Sequence, residues 1–294
     1  MTVVTFLIAL VGFIVGGAVL GCLLTGIDRI ITARMQSRVG PPLLQPYYDV
    51  RKLLAKDKRS VNDFQGFYVL LALLFAILAG AFFFAGGNLL LVVFVITLST
   101  LFFIVAAYST RSPYAEIGAE REIMQVASYE PMVILFAIAF YIATGSFNVS
   151  QVFELKAPII AVLPLIFLGL LFILTIKLRK SPFDLSYSHH AHQELVKGIS
   201  TEMSGRTLAL VEIMHWYENV LFLGWMGLFV VWASWLAIPL AILAVVLIYF
   251  LEILIDNNFA RVKWQSMFKW SWIVTLVLSF VNIIVLGLLP GILW

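Results

Sequence analysis

Cysteine is nearly missing from this chain: Cys22 is the single one in 294 residues, and it lies in an apolar run. It cannot form an intrachain disulfide, a cysteine-held iron–sulfur site or a CxxC redox pair, so any redox centre serving the protein sits elsewhere. Charge is scarce as well. Only 12% of the residues are Asp, Glu, Lys or Arg, against about 25% in an ordinary soluble domain. No P-loop, no GxGxxG opening a helix and no nucleophile elbow interrupts the sequence. The net charge of +3 comes from scattered residues and leaves no footprint for nucleic acid.

What fills the chain instead is hydrophobic sequence, 62% of it, with a mean hydropathy of +1.03. That composition is that of an integral membrane protein. A helix needs about 17 to 25 apolar residues to cross a bilayer, and eight runs satisfy this: 3–25, 67–86, 88–108, 123–143, 159–177, 207–231, 237–255 and 271–291. The expectation is an all-α polytopic membrane protein, one membrane domain over 1–294 with about eight transmembrane helices. The first run is longer than a signal h-region and no basic residue precedes it, so it is expected to stay as a span.

Between the runs lie four longer polar segments, 26–66, 109–122, 178–206 and 256–270. Of the 19 Lys and Arg, all but Lys156 fall in these segments or at their edge, at Lys177. The positive-inside rule then places all four in the cytoplasm and both termini outside, in the cell membrane. Trp264, Trp270 and Trp272 on one side and Trp232 and Trp235 on the other suit two interfacial belts. The four segments are too short to fold alone but together offer a docking surface to a large partner.

The segment ARMQSRVGPPLLQPYYDVRK, residues 33–52, belongs to that surface. Pro46 stands where a first helical turn tolerates it. After it Tyr47, Val50 and Leu54 recur at helical spacing, with Asp49, Lys52 and Lys56 on another face. This predicts a short cytoplasmic amphipathic helix along the interface. A plain loop whose basic residues only fix topology is the alternative.

Carboxylates inside the apolar runs are the second feature, because an isolated charge at a span centre costs about 2.5–3.5 kcal/mol and defaults to a functional role. Glu130 follows Ser128 and Tyr129 in the fourth run. In the sixth, Glu212, His215 and Glu218 step by three and could line one side of a wet interior. Burial favours their neutral forms, which suits exchangeable proton carriers; carboxyls tied up by interhelical hydrogen bonds or by Arg121, Arg206 or another cation are the alternative. Glu116, Glu120 and Glu122 before the fourth run, Glu194 and Glu202 before the sixth, and Asp184 in SPFD could extend a route from the cytoplasm to Glu130. Glu116 and Glu120 could equally complement a helix dipole.

His189, His190 and His192 in YSHHAHQEL match no metal-ligand spacing, and a proton-buffering or partner-contacting loop suits them better than a bound metal.

Three blocks now carry a resemblance that spans nearly the whole chain. Arg34-Met-Gln-Ser-Arg38-Val-Gly40-Pro41 with Gln45, Asp49 and Lys52 is one. Ser112-Pro-Tyr114 through Gly118, Arg121, Gln125 and Ser128-Tyr129-Glu130 is the next. Pro182-Phe183-Asp184, Glu194-Leu195-Val196 and Thr201-Glu202-Met-Ser204-Gly205 form the third. Together they resemble the membrane subunit shared by respiratory complex I, where it is the H-type subunit, and the energy-converting nickel–iron hydrogenases. Complex I members commonly read PEAEAELV where this chain has Ser186-Tyr-Ser-His-His-Ala-His192-Gln-Glu-Leu-Val. That histidine-rich version, with His215-Trp216-Tyr217-Glu218, is similar to the Ech-type, ferredoxin-linked hydrogenases.

The resemblance implies a membrane-anchoring, ion-coupling subunit with no cofactor of its own. The nickel–iron centre and iron–sulfur clusters would lie in partners: hydrogenase large and small subunits, a ferredoxin-like iron–sulfur subunit and, beside it in the bilayer, an antiporter-like subunit. Soluble ferredoxin would bring electrons to the complex. The implied ion path runs over Asp184, Glu194, Glu202, Glu116, Glu120, Glu130, Glu212, His215 and Glu218. The implied junction with the redox arm holds Arg34, Arg38, Gln45, Asp49, Tyr114, Arg121, His189, His190 and His192. Rival expectations are a quinone- or phenazine-reducing complex I-like enzyme, a passive anchor, and an independent secondary transporter, which the short outer connections disfavour.

Overall fold

In the computed structural model, residues 2–57, 62–188 and 193–288 are described. Thr2 caps the first helix reciprocally with Thr5, and α1 then runs Val3–Met35. Its 33 residues reach about 50 Å at 1.5 Å per residue, well beyond the roughly 30 Å of hydrocarbon. The helix therefore continues past the predicted end at 25 and carries Arg29 and Arg34. The chain folds straight back: a Cβ on Gly26 would stand 2.1 Å from the Leu43 carbonyl. Next comes α2, Gln45–Leu54, with Pro46 in its first turn as expected.

Asn62 and Asn88 accept hydrogen bonds from the opening amides of α3 (Asp63–Phe84) and α4 (Leu89–Tyr108). α5 spans Pro113–Thr144 and ends at Gly145, which takes the left-handed conformation at φ +74°. Its start at Pro113 turns most of the predicted 109–122 loop into helix. After two 3₁₀ turns, Val149–Glu154 and Ile159–Ala161, come α6 (Pro164–Lys177), α7 (Gly205–Leu228) and α8 (Ala237–Asn258). α9 (Trp264–Val274) continues through a π turn, Thr275–Ser279, into α10 (Phe280–Leu288). Among the described residues there is no strand.

Among the described residues, six helical stretches are long and apolar enough to cross a membrane: α1, Phe64–Phe84, α4, α5, α8 and Trp264–Leu288. The other two predicted spans differ. The run 159–177 is broken, because Pro158 and Pro164 confine regular helix to the 14 residues of α6, about 21 Å at 1.5 Å per residue. α7 has the length, but Arg206, Glu212, His215 and Glu218 make it polar along its N-terminal part.

Polar α7 is tolerated because it is packed on all sides. It touches α1, α2, α3, α6 and α8, and Phe136 of α5 stacks on Phe229 at its end, 5.2 Å between centroids. Outward faces of α1 and α8 are apolar and exposed, with Val4, Ile8 and Val11 on one and Ile242, Val246 and Leu247 on the other.

The segment 178–206 is not the open platform that its sequence suggests. Lys180 through Ser188 are all buried. The amide of Asp184 donates to the Val262 carbonyl (3.1 Å), and Val262 donates to that of Pro182 (2.7 Å). Lys197 and Ile199 donate to Ser188 and Ser186, and Gly118 of α5 lies so close that a Cβ there would meet the Ile199 nitrogen at 2.3 Å. These bonds fold the described part of the loop into a plug on the ends of the helices. His189, His190 and His192 lie outside the described residues.

Candidate ion-coupling site

Where α6 ends, Leu178 is buried and Arg179 takes a left-handed backbone, φ +57°, a conformation that costs a non-glycine residue about 1–3 kcal/mol and persists where its surroundings enforce it. The turn aims its guanidinium inward. Its Nη2 lies 3.8 Å from the Glu122 carboxylate of α5 and 3.6 Å from that of Glu218 on α7. Both acids are nearly inaccessible, 3% and 6% exposed, so the shared cation supplies the compensation that buried charge requires. His215 completes the group. It contacts Arg179 through Nε2, and its Nδ1 lies 3.1 Å from Glu218. The Ser186 hydroxyl donates to the other side of Glu122.

Two further charges flank this cluster. Lys177 places its ammonium 3.4 Å from the Tyr129 ring centroid and 4.7 Å from that of Phe222. Lys180 donates to Asp28 of α1 at 2.5 Å and pairs with Asp256 of α8 at 3.5 Å. One turn before Asp256, Glu252 is fully buried. Tyr187 donates to Glu212 at 2.7 Å; burial, followed by that neighbouring charge, pushes its phenol well above its ordinary value. It is therefore a permanent donor at neutral pH.

These groups surround a cavity of about 170 Å³ whose walls include Asp28, Lys177, Arg179, Glu212, His215 and Asp256. That is room for several waters, with polar partners for each. Such a lining can pass protons along water and side chains, and its charges can respond to displacement of the loop that carries Arg179 and Tyr187.

The sequence-predicted residues divide into two sets. Glu212, His215 and Glu218 share the cavity face of α7, as their step of three implies. Glu130 is half-buried deeper on α5 and accepts from Thr97 at 3.0 Å. Most of the others pair away from the cavity. Asp184 is buried but turned to the α8–α9 connection, accepting from Arg261 at 2.7 Å; that bond raises the exposed Arg261 above its ordinary value. Arg121 pairs with Glu194 at 3.0 Å and lies 4.9 Å over the Trp264 ring. Glu202 accepts from Ser112 at 2.9 Å, and the Tyr114 hydroxyl bridges the amide and carbonyl of Val196. Glu116 and Glu120 lie half-buried and exposed on α5, off the cavity.

At the α1–α2 corner, Asp49 accepts from Arg29 (2.6 Å) and Gln45 (2.8 Å). Partial burial raises its pKa, but these two bonds outweigh it and hold the carboxyl below the ordinary value. Arg34 closes α1, and Arg38 bonds Gln36 just beyond it.

Sequence reasoning missed the cations that organise the interior. Lys177, Arg179 and Lys180 read as topology-setting charge, and Asp28 and Tyr187 carry no pattern that marks them. A signal was present: three bases within four residues, two positions before Pro182 and directly after an apolar run.

The NADH dehydrogenase family profile matches residues 7–287. The chain belongs to the NADH dehydrogenase family. Among its relatives, the H subunit of the NADH-quinone oxidoreductase of Anoxybacillus flavithermus is 30% identical, covering 92% of this chain and 90% of that protein. Formate hydrogenlyase subunit 4 of Escherichia coli is 28% identical, covering 85% and 89%, and hydrogenase-4 component C of the same organism 29%, covering 85% and 87%. In fold, the chain is similar to one in the membrane-bound sulfane sulfur reductase, an archaeal respiratory membrane complex. The TM-score is 0.84 at 20% identity, over 96% of this chain and 99% of that one. As a member of the NADH dehydrogenase family with several membrane-length apolar helices, it is an integral membrane protein related to subunits of multi-subunit oxidoreductase complexes.

Proposed function

We propose that this chain is the membrane-anchoring, ion-coupling subunit of a ferredoxin-dependent energy-converting nickel–iron hydrogenase. The observation that carries the coupling role is the buried run of charge from the third loop, through Arg179, to Glu122, Glu218 and His215, beside a water-sized cavity. A passive anchor has no use for so many desolvated ions, each costing several kcal/mol before compensation. The likeness to formate hydrogenlyase subunit 4 and hydrogenase-4 component C, with the SYSHHAHQELV segment, supports the hydrogenase branch.

In this reading the chain crosses the cell membrane eight times, α6 and α7 included, with both termini outside. α2 lies along the cytoplasmic interface, and with the 178–206 plug it holds an arm of hydrogenase large and small subunits and a ferredoxin-like iron–sulfur subunit. An antiporter-like subunit lies beside it in the bilayer. Nickel–iron and iron–sulfur centres belong to those partners, and soluble ferredoxin feeds them. Redox events in the arm shift the loop bearing Asp184, Arg179 and Tyr187. The displaced charge is answered at Glu218, Glu212 and Glu130, which pass protons or sodium ions across.

A membrane subunit of a complex I-like quinone oxidoreductase is the second reading, favoured by the 30% identity to the Anoxybacillus protein. Purifying the complex and assaying nickel together with ferredoxin-dependent hydrogen evolution separates the two. Nickel with hydrogen evolution is expected; quinone reduction without nickel would overturn the hydrogenase reading.

A further inference from the structure

Three bases lie among the buried acids, and they are held in different ways. Arg179 is locked between Glu122 and Glu218, and a guanidinium keeps its proton at any physiological pH. Lys180 is fixed by Asp28 at 2.5 Å and Asp256 at 3.5 Å. Lys177 is held instead by ring faces, Tyr129 at 3.4 Å and Phe222 at 4.7 Å.

Lys177 also stands where three cavities meet. One is the polar cavity of about 170 Å³. A second, of about 10 Å³, is lined by Thr100, Glu122, Gln125 and Glu218. The third, of about 20 Å³, runs into apolar surroundings between Val133 and Trp225. Glu218 of α7 and Arg179 of the loop share both the first and second cavities with Lys177, and Glu122 of α5 shares the second.

We propose that Lys177 is the proton carrier between the polar cavity and the smaller one lined by Glu122 and Glu218. Its ammonium gives one proton to a water of the smaller cavity, which passes it on, leaving a neutral amine. The amine lone pair then takes a proton from water of the polar cavity, which is resupplied from the cytoplasmic end. No electron moves, and each cycle takes one proton from the first cavity and delivers one to the second. Ring faces stabilise the cation by about 0.5–2 kcal/mol, enough to keep it in place without a carboxylate that would trap the proton. Arg179, whose guanidinium does not release its proton, stays paired with Glu122 and Glu218 while Lys177 alternates.

This inference rests on the ion-coupling reading above and is tested on the whole purified complex in proteoliposomes, with ions moved per redox turnover as the readout. Lys177→Arg keeps the cation and the ring contacts but cannot release a proton. It is expected to retain redox turnover within about twofold while ions per turnover fall about tenfold or more. Lys177→Met should uncouple equally, and Lys177→His, which can still titrate, should restore part of the ratio. Co-purification of the partner subunits reports whether each variant assembles; if the arginine does not fit, the Met and His pair decides. Wild-type coupling in Lys177→Arg or Lys177→Met makes Lys177 a fixed charge and overturns the inference alone. A wild-type complex that turns over but moves no ions overturns the coupling reading along with it.

Discussion

Arg179 shows how a single residue decides the state of several others. Its left-handed backbone, φ +57°, directs a cation between two acids that are almost inaccessible to water. Arg179→Ala leaves both carboxylates buried without their partner, and the expected cost is about 3–5 kcal/mol. It should appear as a lower thermal midpoint of the purified complex, with partial recovery in the double variant that adds Glu122→Gln. An Arg179→Ala complex melting like wild type would mean that the guanidinium is not the counter-charge. The acids on α7 were legible from their step of three in an apolar run. Arg179 was not, because next to a membrane boundary a basic residue has a simpler explanation, the positive-inside rule.

Two elements can each be probed on their own. α2 was readable from Pro46 and the Tyr47, Val50, Leu54 spacing, and it is tied to α1 by the Arg29–Asp49 bond, with Gln45 holding Asp49 from within α2. Because the folded Asp49 carboxyl lies below its ordinary 3.8, the pair's contribution is complete above that value and is lost as pH falls through the lower folded one. Amide exchange of Gln45–Leu54 should therefore quicken below about pH 4, and modestly, since both side chains are about 40% exposed and solvent weakens such pairs. Unchanged protection at low pH would remove Asp49 as a tether.

The 178–206 plug is the other element. Its polarity suggested exposure throughout, whereas Lys180–Ser188 is buried, with backbone bonds to Val262 and to the returning segment of the loop at Lys197 and Ile199. Gly118→Ala would push a methyl to 2.3 Å from the Ile199 nitrogen, forcing the plug to shift at a cost of about 1–3 kcal/mol. Faster protease cleavage within 178–203 is the expected sign; wild-type resistance would show that α5 does not fix the loop.

Across the whole molecule, the hydrated, charged half and the apolar half are separate. The cavity is lined from one set of ends of α1, α6, α7 and α8, while Phe136, Phe140, Trp225 and Phe229 fill the opposite half. The chain alone in liposomes is expected to dissipate no ion gradient, because translocation needs the driving displacement that partners supply. Flux from the isolated chain, measured with a pH- or sodium-sensitive dye, would point to an independent transporter. By itself the sequence determined that the chain is a helical membrane protein, that its bases gather in four segments, and which motifs tie it to its family. These are properties of composition and of periods a few residues long. Only the tertiary structure decided which charges face one another. Lys180 meets Asp28 across 152 positions and Ser186 meets Glu122 across 64, separations at which no local pattern operates. It also decided that a polar loop is buried, since backbone bonds to a second loop remove it from water at no loss of hydrogen bonding.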